Sequence, residues 1–127
     1  MTRRMVALAA LGLVASAACN PSVRVTELCS VAPSVLTASA RTGSPRRLTV
    51  HGERFVVCRD TNRGPQVPAM RAIALVLQQG AHRVSLGTVD AHGRHGTFTV
   101  TVPVPAEFAA GAAVVTASGR AVPVTLP

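Results

Sequence analysis

Apolar and polar residues alternate with a period of two along much of this chain, which is the pattern of half-buried β-strands. The clearest alternation spans 97–102, where Phe98, Val100 and Val102 share one face and three threonines share the other. The stretch 72–77 is apolar on both faces, as a central strand requires. We therefore expect strands at 29–37, 47–51, 72–77, 83–89, 97–102, 112–117 and 121–126.

Glycine, proline and polar clusters separate these strands. The turn at 42–45 contains Gly and Pro, and Ser118–Gly119 joins the last two strands. The longest connection, 54–70, is irregular, and 90–96 predicts a polar hairpin connection between two strands. About seven short strands and no helix after the first nineteen residues predict an all-β fold, an immunoglobulin-like β-sandwich.

The first nineteen residues have the pattern of a targeting segment. Arg3 and Arg4 precede an apolar run at 5–15, small residues follow, and the segment ends at Cys19. This arrangement resembles the cleavage site of bacterial lipoproteins, with Ser16 in place of the usual leucine. We expect a signal peptide at 1–18, a lipidated tether at 19–28 and a single β-sandwich domain at 29–127, held at the extracytoplasmic side of the cell membrane.

The charge of the chain is strongly positive. All 13 basic residues are arginine against five acidic residues, and removal of Arg3 and Arg4 lowers the net charge from +8 to +6. Such a surface suits anionic lipid headgroups or an anionic wall polymer. Nucleic acid is not an expected partner of an exported chain, and the absence of Trp and Tyr leaves little for base or sugar stacking.

Three cysteines divide into one candidate for lipidation and one candidate pair. With Cys19 lipidated, Cys29 and Cys58 remain in a compartment that permits disulfides, and we expect them to pair. Two free thiols are the alternative. A crosslink closing a loop of this length typically contributes about 3–4 kcal/mol.

Three segments resemble a known family. They are LTVHGERF at 48–55, LGTVDAHGRHGTFTVTVPVP at 86–105 and GAAVVTASGRAVPVTL at 111–126. They are similar to bacterial immunoglobulin-like modules of the TIG/IPT kind, found singly in small actinobacterial lipoproteins. The stretch VCRDT at 57–61 resembles a loop in some of these proteins, whereas His92 and His95 depart from the family pattern. The resemblance covers 31–126 and implies a fold, but no catalytic residues.

Few residues are arranged for chemistry. Asp90, His92 and His95 lie within six positions and are candidate ligands for Zn²⁺ or Cu²⁺, although the simpler interpretation is a solvated turn, because a mobile hairpin tip is a poor metal site. Of the carboxylates, Glu53 and Asp60 are near each other and are expected to pair with neighbouring arginines. No nucleophile motif is present, so we expect neither an enzyme nor a bound cofactor.

The function indicated is a membrane-anchored, non-enzymatic interaction module of the cell envelope. Its further partner is expected to be an envelope protein or an anionic wall polymer. The connections 54–70 and 90–96 are the expected binding surfaces, with Arg59 and Arg63 as candidate contacts for phosphate or carboxylate. The alternative function is metal binding through 90–96.

Overall fold

The computed structural model describes residues 31–127, and these residues form β-strands, turns and loops. No described segment is a helix long and apolar enough to cross a membrane. The strands are β1 (Val35–Arg41), β2 (Arg47–Glu53), β3 (Arg59–Thr61), β4 (Gly64–Gln66), β5 (Ile73–Gln79), β6 (His82–Val89), β7 (Phe98–Pro103), β8 (Gly111–Ala117) and β9 (Arg120–Leu126).

Seven of the strands form two antiparallel sheets. One sheet has the order β1-β2-β7, and the other has the order β6-β5-β8-β9. The short strands β3 and β4 pair only with each other. β1 lies beside β9, so the two sheets adjoin along this side. The all-β prediction is confirmed, and the seven long strands agree with the predicted number.

A single hydrophobic core fills the space between the sheets. Leu48 and Val50 of β2 face Leu75 and Leu77 of β5 across it, and all four side chains are almost fully buried. Burying each such side chain contributes about 1.5–3 kcal/mol. The alternation predicted for 97–102 is confirmed, because Phe98 is buried and Thr99 and Thr101 are exposed.

One strand and two connections differ from the sequence prediction. The first described strand begins at Val35 and extends to Arg41, so the strand predicted at 29–37 is wrong for 31–34, whereas residues 29–30 lie outside the described residues. The connection 54–70 is not wholly irregular, since it contains the β3–β4 ribbon. The segment 90–96 is not a hairpin between paired strands, because β6 and β7 belong to different sheets. It crosses from one sheet to the other.

The connections lie at two opposite ends of the sandwich. We call the end formed by 54–72, 90–97 and the turn Ser118–Gly119 the loop end. The end formed by 42–46, 80–81 and 104–110 is the far end. The described chain begins at the loop end, where Val35 pairs with Glu53, and it finishes at the far end after Leu126.

Two polar side chains hold the connections of the far end together. The Arg46 guanidinium donates hydrogen bonds to the carbonyl oxygens of Pro105, Phe108 and Pro127. The Gln79 amide donates to the Ala109 carbonyl and accepts from the Ala109 N–H, both at 2.9 Å. Because these bonds satisfy backbone groups that the strands leave unpaired, they fix the 104–110 connection.

Candidate functional site

The candidate site is the loop end, where both predicted binding segments meet. Its foundation is Phe55, which is fully buried and packs edge-to-face on Phe98 with ring centroids 5.1 Å apart. Gly52 makes room for this pair, since a Cβ there would overlap the Phe98 ring and approach the Phe55 ring. The first residues of the 54–72 connection are thereby fixed to the core.

Backbone hydrogen bonds join this connection to the 90–97 connection. The Arg54 N–H donates to the His95 carbonyl at 2.7 Å, and the Phe55 N–H donates to the Gly96 carbonyl at 3.0 Å. Gly96 has a φ of 57°, and a Cβ at this position would collide with the Phe55 carbonyl. Glycine is therefore required here for its backbone conformation and for the close approach of the two chains.

The later part of the long connection is held in the same way. The Met70 N–H donates to the Phe55 carbonyl at 2.9 Å, and the Ala91 N–H donates to the Met70 carbonyl at 2.8 Å. The Asp90 Oδ1 accepts a hydrogen bond from the Ala72 N–H at 2.7 Å. The two connections therefore form one hydrogen-bonded platform rather than two independent loops.

The β3–β4 ribbon projects Arg59 and Arg63 from this platform, and both side chains are exposed. Its turn is fixed by the Thr61 hydroxyl, which donates to the Gly64 carbonyl at 2.6 Å and accepts from the Arg63 N–H at 3.2 Å. The structure thus holds the backbone under both predicted contact residues in a defined hairpin.

A shallow depression of about 180 Å³ lies in the platform. Val31 and Ala32, the first described residues of the chain, line it on one side. The two connections contribute the remaining lining residues, which are Arg54, Val56, Val67, Arg94 and His95. The sequence pattern predicts His95 only as a metal ligand, and it singles out neither Arg54 nor Arg94 as a binding residue. They belong to different connections, so only the fold brings them together.

The loop end carries exposed arginines together with three of the four described carboxylate side chains, which are Glu53, Asp60 and Asp90. Among residues 31–127, both ion pairs join a histidine to a glutamate, and no arginine pairs with an Asp or Glu carboxylate. Glu53 pairs with His51 at 3.4 Å, so the expected pairing of Glu53 with an arginine is wrong. Asp60 likewise makes no ion pair among the described residues, contrary to expectation. The loop-end arginines therefore remain available to an external anion.

The candidate metal ligands are not gathered into one site. Asp90 binds the Ala72 N–H, the His92 backbone pairs with Thr97, and His95 faces the depression. Within residues 31–127, no three His, Cys, Asp or Glu side chains come together as a metal site. The polar character of 90–96 is accounted for by its role in the platform.

The cysteine predictions involve the N-terminal part of the chain. Cys19 and Cys29, like the proposed boundaries at 1–18 and 19–28, lie outside the described residues. Cys58 lies between the platform and β3, in the segment whose Val57 N–H donates to the Pro68 carbonyl at 2.9 Å. The Cys29–Cys58 disulfide stays a prediction, which mass mapping of non-reduced exported protein tests.

Comparison with known proteins gives the chain no family. No protein-family model, curated protein or solved structure matches it.

Proposed function

We propose that this chain is an exported lipoprotein, lipidated on Cys19, whose immunoglobulin-like domain of the TIG/IPT kind binds an anionic partner of the cell envelope without catalysis. The observation that carries the proposal is the platform at the loop end. Two connections that the sequence singles out separately form one surface there, bearing Arg54, Arg59, Arg63 and Arg94 without carboxylate partners among residues 31–127.

The strand order supports the immunoglobulin-like part of this proposal. Immunoglobulin-like sandwiches pack two antiparallel sheets, with loops collected at the two ends. In this chain the crossings from β2 to β5 and from β6 to β7 both pass over the loop end. Loops carried by a rigid sandwich are where such folds usually bind their partners.

The chemistry of the site favours binding over catalysis. Its depression is lined by guanidinium groups, one imidazole and aliphatic groups, and guanidinium forms paired hydrogen bonds with phosphate or carboxylate. The Asp90 carboxylate accepts a backbone hydrogen bond that joins the two connections. The arrangement is suited to holding an anion at an exposed surface.

Replacement of Arg59 and Arg63 tests the binding surface. We expect the double variant Arg59→Ala with Arg63→Ala to bind isolated cell envelopes about 5- to 30-fold more weakly at low salt, since exposed ion pairs contribute up to about 1 kcal/mol each. The salt dependence of binding becomes shallower as well.

The matched control is Arg41→Ala with Arg47→Ala, which removes the same charge from exposed, paired positions at the far end. Equal weakening by both double variants would show that net charge alone drives binding, and unchanged binding in the first would remove Arg59 and Arg63 from the site.

Replacement of Cys19 tests the attachment separately. Cys19→Ser removes the sulfur that carries the lipid, so we expect the protein to leave the membrane fraction or to remain unprocessed. Fractionation and intact mass of the exported protein measure this. Unchanged processing and membrane retention would contradict the lipoprotein assignment while leaving the binding surface intact.

A further inference from the structure

We propose that the loop end is a membrane-docking surface, which lies against the anionic lipid headgroups of the bilayer that holds the protein. This inference rests on the proposed lipid attachment at Cys19, and it names the anionic partner as the membrane itself. It also gives the domain an orientation, with the loop end toward the bilayer and the far end away from it.

The path of the chain supplies the first argument. Val31 and Ala32 line the depression between the two connections, and the Ser34 hydroxyl donates to the Arg54 carbonyl at 2.9 Å. Cys19 precedes Val31 by only twelve positions. Even a fully extended chain of that length spans no more than about 43 Å. A lipid on Cys19 therefore holds the loop end within about 43 Å of the bilayer. Because a seven-residue strand such as β1 spans only about 23 Å, the tether supplies proximity, and the surface features of the loop end select the face that docks.

The distribution of exposed apolar side chains supplies the second argument. Four large apolar side chains are exposed among residues 31–127, and three of them are at the loop end: Val31 (43% exposed), Val35 (41%) and Val67 (38%). The fourth is Val114, on the outer face of the four-stranded sheet. Singly exposed valines are normal on a soluble surface, so the informative feature is that three of the four lie at one end, where the boundary between headgroups and acyl chains would accommodate them.

The charges around these valines supply the third argument. Arg54 and Arg94 line the same depression as Val31 and Val67, and Arg59 and Arg63 project from the adjoining ribbon. Basic side chains near an anionic leaflet are attracted over about one Debye length, about 8 Å at physiological ionic strength. The loop end also carries Glu53, Asp60 and Asp90, and the far end has arginines too, of which Arg46 is bonded to backbone carbonyls. The loop end is therefore distinguished by Arg54 and Arg94 lying around one depression with exposed Val31 and Val67. Among residues 31–127, only the loop end combines exposed arginines and a group of exposed valines with the first described residues of the chain.

Chemical footprinting of the intact lipidated protein tests the orientation. The wild-type chain is reconstituted into vesicles of phosphatidylcholine alone or with phosphatidylglycerol, treated with phenylglyoxal, and its modified arginines are mapped by mass spectrometry. We expect Arg59, Arg63 and Arg94 to react several-fold more slowly in the anionic vesicles. Arg41 and Arg47 at the far end react equally in both and serve as internal controls. At about 1 M salt the Debye length falls to about 3 Å, and the protection is lost.

A pair of valine variants tests the apolar contribution. Val67→Asp places a charge in the docking surface, whereas Val114→Asp makes the same change at an equally exposed site on the sheet face. We expect the protection of Arg59 and Arg63 to fall in Val67→Asp and to persist in Val114→Asp. Circular dichroism of both variants confirms that the fold is retained.

The possible outcomes separate this inference from the proposed function. Membrane docking is overturned when the loop-end arginines react as fast in anionic vesicles as in phosphatidylcholine vesicles, like the far-end controls. This holds even when the protein is firmly attached to the vesicles. Protection by purified anionic wall polymer, without protection by phosphatidylglycerol, also overturns it and leaves the proposed binding function standing. Failure of the protein to remain with either vesicle contradicts the lipid attachment itself.

Discussion

Gly96 is the residue on which the platform depends most directly, and Gly96→Ala tests its construction. The φ of 57° at Gly96 is in the left-handed region, and alanine there costs about 1–2 kcal/mol in backbone strain. The new methyl group would also collide with the Phe55 carbonyl and lie 2.7 Å from Val56 Cγ1. Since the obstacle is backbone rather than a flexible side chain, the two connections must move apart.

The cost of that movement follows from the contacts at the junction. Two hydrogen bonds link the connections here, Arg54 N–H to the His95 carbonyl and Phe55 N–H to the Gly96 carbonyl, and each contributes about 1 kcal/mol net. Displacing the buried Phe55 adds about 1–3 kcal/mol of packing strain. We therefore expect Gly96→Ala to lower the free energy of unfolding by about 4–7 kcal/mol.

Gly93→Ala is the matched control in the same connection. Gly93 has a φ of 77°, but a Cβ there meets nothing within 4 Å. Gly93→Ala therefore introduces only the backbone strain of a left-handed φ, which is about 1–2 kcal/mol. Urea unfolding followed by circular dichroism measures both variants, and the difference of about 3–5 kcal/mol corresponds to about 12–40 °C in Tm for a domain of this size. Equal destabilisation by the two substitutions would refute the argument from close approach.

Two further substitutions test other parts of the fold. Arg46→Ala removes the hydrogen bonds to the Phe108 and Pro127 carbonyls, so it should lower the free energy of unfolding, measured by chemical denaturation, by about 2–3 kcal/mol. The control is Arg47→Ala, an exposed position on β2, which should change this free energy by less than about 0.5 kcal/mol. Gly52→Ala should lower the free energy of unfolding by about 1–3 kcal/mol, because its methyl group overlaps the Phe98 ring. The cost should be smaller when Phe98→Leu is already present, and strictly additive effects in this double-mutant cycle would contradict the packing.

The sequence predicts the long strands well because their periodicity reports burial directly. The segment 97–102 alternates sharply, and β7 follows it within one residue at each end. The sequence misses β3 and β4 because a three-residue strand with every side chain exposed or half-buried has no apolar alternation to detect. β1 is displaced in the prediction because small residues at 38–40 give only a weak pattern.

The site is predicted only in part for a different reason. Arg59 and Arg63 stand out in a long polar connection, and the structure exposes both. The association of Arg54 with Arg94 depends on backbone hydrogen bonds between distant segments, and no side-chain pattern encodes those bonds. The turn residues of 90–96 correctly indicate a reversal, but they do not reveal that the next strand joins the opposite sheet, since that choice is made by packing.

The direction of β1 has a mechanical consequence. The described chain begins at the loop end and finishes at the far end, and β1 and β9 run parallel to each other between them. A force that pulls the two termini apart therefore acts along the strands, and it loads all seven residue pairs between β1 and β2 at once instead of peeling them apart one by one. Shear of this kind is the geometry in which a sheet resists extension best. Under the proposed attachment at Cys19, a pull between the membrane and the far end would therefore act along β1 and not across it.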